Sequence, residues 1–195
     1  PVVFNDWVVF RTRWNWTGKV AGTVFCILCF FFLWNRPFFN NFLRLRQEKR
    51  NLRKTLLVSA AIVLFSVISF FFNDKVPFDL ETLAFQLTMP GLEEELLFRG
   101  VLLGLLIPNL KDKLGTPKIN IGNPSILIVA LLFGLVHGLQ LSEHYKFSFD
   151  YGYFLESFIL GYLWGWITVR SNSLVLPVVT HGLFNFFVTL FAMVK

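Results

Sequence analysis

Six mostly apolar stretches recur along this chain of 195 residues, at 19–34, 55–72, 92–107, 124–141, 151–169 and 174–194. Each is close to the roughly 20 residues that an α-helix needs to cross a bilayer. Backbone inside lipid must satisfy its own hydrogen bonds, and helices do so within a single run. The pattern therefore predicts an all-α fold: a multi-pass transmembrane helical bundle of about six spanning helices. A short amphipathic helix is expected before a break at Pro90-Gly91, with a spanning helix from about Leu92 to Ile107. Composition agrees, because 55% hydrophobic against 15% charged residues would leave too much apolar surface in water.

A net charge of +6 invites a nucleic-acid reading, but its distribution excludes one. Arg36, Arg44, Arg46, Lys49, Arg50, Arg53 and Lys54 lie in one loop between apolar runs, the pattern of a cytoplasmic loop that can also meet anionic lipid heads. With that loop inside, the inner connections hold eleven Lys and Arg, and the outer loops hold only Lys75 and Lys146. Arg11, Arg13 and Lys19 do not fit this sidedness. Trp7, Trp14 and Trp16 suggest an interfacial segment over residues 1–18. Cys26 and Cys29 sit among Phe, Ile and Leu and read as small buried hydrophobes, not a redox pair. The chain divides into an N-terminal membrane segment, 1–75, and a core, 76–195.

Polarity inside the spans carries the functional signal. An ionised side chain near the bilayer centre costs at least about 2.5–3.5 kcal/mol. Even so, the third span contains Glu93-Glu94-Glu95 and Arg99. Glu95 and Arg99 are one helical turn apart and can pair, while Glu94 is rotated about a quarter turn away and is free to face another cavity. His137 closes the fourth span, four residues after Phe133. His181 and Asn185 project together from the sixth. Gly134, Gly138 and Gly182 flank the histidines and permit close helix approach. Interhelical hydrogen bonding does not need so many titratable groups. No GxSxG motif is present, and no aspartate pair lies deep in the spans.

Glu94-Glu95-xxx-Arg99, Phe133-xxx-His137 and His181-xxx-Asn185 together resemble the motif set of the CPBP family of intramembrane proteases, also called CAAX proteases, bacteriocin-processing enzymes or Abi proteins. The resemblance covers roughly residues 80–190. It implies an integral, multi-pass protein of the plasma (inner) membrane that hydrolyses peptide bonds of a peptide or protein substrate, lipidated or not. The family roles fall on Glu94 as the base that activates water, His137 as its partner in proton transfer, and His181 with Asn185 as holders of the oxyanion. Glu95 and Arg99 become a supporting pair, and Phe133 packs beside His137. Glu93 is expected near a helix start, outside the chemistry.

The family has often been labelled metalloprotease, but a metal-free glutamate mechanism with no cofactor is the expectation. A zinc version would use Glu94, His137 and His181 with an open fourth position, but the HExxH motif is absent. Two non-proteolytic alternatives stand beside the protease: a membrane scaffold or bacteriocin immunity protein, and a transporter or channel using the buried acids and histidines as a proton path.

Overall fold

In a computed structural model of the chain, the described residues are 13–110, 114–116, 119–141 and 146–195, without the side chains of 114–121. Trp7, Arg11, Lys111, Lys113, Lys118, Glu143 and His144, which entered the reading of charge and interfaces, lie outside them. Six helices form the described fold. They are α1 (Trp16–Leu33), α2 (Lys49–Phe72), α3 (80–106), α4 (Pro124–Gly138), α5 (Tyr151–Ser171) and α6 (Val175–Val194). Two short antiparallel ribbons decorate the loops, β1 (Leu114–Thr116) with β2 (Ile119–Gly122), and β3 (Leu139–Leu141) with β4 (Phe147–Phe149).

Helix starts follow local chemistry. Asn15, Asp79, Asn123 and Asp150 each accept a backbone N–H of the following turn, and Pro124 takes the first position of α4. The Arg170–Ser173 turn is tight because Asn172 adopts the left-handed conformation, with φ of 53°.

Three helices, α1, α2 and α6, are long and apolar enough to cross a membrane, and α4 is a shorter apolar helix. The six expected spans are thus unequal. α3 carries five charged residues, and α5 carries Glu156 and Arg170. Lipid-like exposure is plain on α2, where Phe72 is 81% exposed. The inward stripe of that helix is Thr55, Ser59, Ile62 and Ser66, at helical spacing.

The expected break at Pro90-Gly91 does not occur. α3 runs from Leu80 through Pro90 to Glu95, opens into a wide π-type stretch over Leu96–Leu102, and closes with Leu103–Leu106. Neighbouring helices can hold a proline inside a membrane helix that water would break. Here Pro90 is buried, and Gly91 lets α6 pass against the α3 backbone. A methyl group on Gly91 would meet the Val178 carbonyl, and one on Gly182 would press into the Leu87 carbonyl. Gly134 and Gly138 likewise bring α4 against Phe154 of α5. Gly182→Ala should therefore destabilise the bundle by about 1–3 kcal/mol, the usual range for overpacking. A lowered unfolding temperature in detergent checks this.

The ends of the bundle are distinct. Loop 34–48 is tied to Gly104 and to Phe42–Leu174 and Glu48–Ser171 contacts at one end. At the other, Val76 bonds to Ala192, and Lys195 reaches the Asn73 carbonyl. Between them lies a core that includes Phe30, Phe42, Leu96, Phe98, Phe133, Trp164 and Phe184. Cys26 is a buried free thiol within it, and Cys29 is a partly buried one.

Candidate functional site

The site forms where α1, α3, α4, α5 and α6 meet. Glu94, near the middle of α3, directs Oε2 toward two imidazoles. His137 Nε2 lies 3.5 Å away and His181 Nε2 lies 3.9 Å away. This oxygen is buried and has no hydrogen-bond partner among the described residues. The convergence is notable because His137 is late in α4 and His181 early in α6. α4 is short enough for its last turn to reach the level of Glu94, after which the chain leaves through β3.

Both histidines are oriented through their other nitrogen. His137 Nδ1 lies 2.8 Å from the Phe133 carbonyl. A carbonyl only accepts, so Nδ1 carries hydrogen, and a neutral ring then presents a lone pair at Nε2. His181 Nδ1 lies 2.8 Å from Glu95 Oε1 and follows the same rule. The His181 ring therefore bridges the two acids, with one nitrogen on each. Glu94 and Glu95 do not serve separate cavities.

Behind them lies a buried ionic layer. Arg99 and Glu95 are both 0% exposed and pair at 2.9 Å. Arg99 also donates to the Gly161 carbonyl at 3.1 Å, and its guanidinium lies 4.3 Å from the Phe133 ring centre. Phe133 thus packs against His137, with ring centres 4.3 Å apart, and against Arg99 as well. Asn185 follows His181 by one turn on α6. It is half-buried and makes no hydrogen bond among the described residues.

Two residues complete the site without having been singled out from sequence. Lys19 of α1 donates to Glu94 Oε1 at 2.6 Å and to Glu93 Oε2 at 2.8 Å. Glu93 is therefore mid-helix and ion-paired, not near a helix start. The excess of three acids over one Arg in this stretch is the signal that could have pointed to a further cation, though not to the helix that supplies it. The start of α1 is held in register because Trp14 donates to Thr82 and Trp16 to Glu81. Trp164 of α5 stacks on His181, with ring centres 4.1 Å apart and 14° between planes, and its own N–H goes to Thr180. Nothing in sequence separates Trp164 from the other span tryptophans.

The side chain of His137 is 34% exposed against 4% for His181, so the site opens on the α4 side. A separate apolar cleft of about 770 Å³ lies between α2 and α5, lined by Phe65, Phe72, Leu155, Ile159 and Glu156 among others. Phe184 on its wall packs edge-on against Trp164. Among the described residues, no group of three or more His, Cys, Asp or Glu is arranged to hold a metal ion.

Residues 76–187 match the family described as type II CAAX prenyl endopeptidase Rce1-like. No curated protein and no solved structure gives a significant match. The matched segment opens just before α3 and runs into α6, so it contains both acids, the arginine, both histidines and Asn185. It spans more than half of the chain, which therefore belongs to the Rce1-like type II CAAX prenyl endopeptidases, a family of membrane-embedded proteases.

Proposed function

We propose that the chain cleaves a peptide bond near the C-terminus of a lipidated, CAAX-type protein with a water molecule activated by Glu94. The observation that supports this most is the convergence of His137 and His181 on one buried, unpartnered oxygen, Glu94 Oε2. Water is a poor nucleophile at neutral pH and needs a positioned base. Lys19 occupies Oε1 and leaves Oε2 as the working oxygen.

The remaining steps follow from hydrogen positions. Glu94 takes a proton from water as the new C–O bond forms. His137, with hydrogen fixed on Nδ1, has Nε2 free to receive that proton and pass it to the leaving nitrogen as the C–N bond breaks. His181, held by Glu95 through Nδ1, turns Nε2 toward the oxyanion and donates to it when both ring nitrogens carry hydrogen. Asn185 supplies a second donor. Removing one such donor typically costs about 10²–10³ in turnover, so Asn185→Ala should slow cleavage roughly 100-fold with the fold intact. Single-turnover kinetics on the folded variant measure this.

Lys19 positions the base. A hydrogen bond between charged groups contributes about 1.5–3 kcal/mol. Lys19→Met should therefore lower kcat by roughly 10- to 100-fold, while Lys19→Arg retains most of it. Equal losses in both variants would point to packing instead of charge.

The reading is tested with the purified chain in lipid and an S-farnesylated peptide ending in a CAAX sequence, assayed in ¹⁸O-labelled water. Release of a tripeptide, with label in the new carboxylate of the farnesylated fragment, supports it. An intact peptide with folded chain sinks it. Activity that persists through exhaustive chelation separates the metal-free route from a zinc-dependent one. An unlipidated twin peptide distinguishes CAAX-type from leader-type processing, and the α2–α5 cleft offers apolar space for a lipid chain. We further propose a multi-pass arrangement in the plasma (inner) membrane with loop 35–54 on the cytoplasmic face. Labelling of a cysteine placed at Arg53 by an impermeant maleimide only after the membrane is opened is the expected result.

A further inference from the structure

The connection between α1 and α2, residues 34–48, is not a loose tether. Asn40 donates to Gly104, Leu174 to Phe42, and Glu48 to Ser171, all between backbone groups. Gln47 donates to Ser173 Oγ at 2.9 Å, Ser173 Oγ donates to the Arg44 carbonyl, and Asn51 reaches the Arg170 carbonyl at 3.0 Å. The loop is thereby strapped across the α5–α6 turn. This strapping frames a pocket of about 340 Å³ lined by Arg44, Arg46, Gln47, Glu48, Lys49 and Asn172.

Three of those side chains are cationic and exposed, and none has an ion-pair partner among the described residues. The one acid, Glu48, accepts the backbone N–H of Arg50 at 3.4 Å. Leu45, at the bend between the two arginines, is 91% exposed, more than any other large hydrophobic side chain described. The loop leads directly into α2, a helix apolar enough to cross a membrane, so it lies at a bilayer surface.

We propose that the pocket framed by Arg44, Arg46 and Lys49 binds the phosphate of an anionic lipid headgroup, with Leu45 entering the lipid. Unpaired cations lining one pocket favour a headgroup of net negative charge over a zwitterionic one, whose phosphate is already balanced by its own ammonium. The fully exposed leucine favours a lipid over a free phosphate ester. This site is separate from the catalytic reading and does not depend on it.

The test uses the full chain in nonionic detergent at 0.15 M salt, where diffuse surface charge is screened beyond about 8 Å. Calorimetric titration with dihexanoyl-phosphatidylglycerol gives the apparent Kd. Replacing Arg44, Arg46 and Lys49 together by Gln should weaken it about 100-fold, and Arg46→Gln alone about tenfold. Replacing Arg50, Arg53 and Lys54 by Gln removes the same charge outside the pocket and should change the Kd by less than about threefold. Equal losses in the two triple variants would reduce the effect to net charge and overturn the site. Equal affinity for dihexanoyl-phosphatidylcholine, or for sn-glycerol 3-phosphate, would overturn it as well. Unfolding temperatures matching the parent confirm that each variant is folded.

Discussion

Glu94→Gln should leave a folded chain that cleaves about 10²–10⁴-fold more slowly, the contribution typical of a positioned general base. The substitution keeps the shape of the side chain and an oxygen that can still accept from Lys19, so packing around α1 and α3 is preserved. It removes the capacity to take a proton at the position faced by His137 and His181. Glu93→Gln is the matched control. Glu93 shares Lys19 with Glu94 but makes no contact with either imidazole, and its variant should turn over near the parent rate. Tripeptide release measured for both variants decides the matter. Parent-level cleavage by Glu94→Gln would end the proposal that this carboxylate is the base. The same variant separates catalysis from a scaffold role, because a scaffold would keep its cellular phenotype.

Arg99→Met should destabilise the chain by about 3–5 kcal/mol, because removing one partner of a buried pair leaves the other charge uncompensated. Methionine keeps much of the apolar stem, so the loss reports charge more than volume. Arg99 and Glu95 are completely buried, and Glu95 also holds His181 Nδ1, so the damage should spread to the orientation of that ring. The double variant Arg99→Met with Glu95→Gln should recover a large part of the stability, since no lone charge remains. Unfolding in detergent by increasing SDS measures both. A single variant as stable as the parent would show that the pair contributes little beyond its geometry.

The helical, membrane-embedded character was legible because apolar run length is a property of contiguous sequence. The Glu95–Arg99 pair was legible for a similar reason: residues four apart share a helix face, and the pair survives the wide π-type stretch. The convergence of His137 and His181 on Glu94 was only suggested, because side chains on separate helices meet through packing. The Gly91–Gly182 crossing brings α6, with His181, against α3, and a list of glycines does not say which backbone each one meets. Pro90 misled for the converse reason. Local chemistry marks it as a breaker, and tertiary neighbours override it. Lys19 was hardest to place. Counted as a topological charge it contradicted the sidedness of the loops, while in the fold it is shared between two acids, Glu93 and Glu94.

The segment shared with the family, 76–187, and the segment needed for a complete cluster are therefore not the same length. The ammonium beside Glu94 enters from a helix some sixty residues upstream of that boundary, held by indole bonds to the first turn of α3. A chimera joined at residue 75 between this chain and a relative would carry every motif residue yet exchange the counter-ion. Any defect it showed would be blamed on the half that had not changed, so α1 has to travel with the motifs in any transplant.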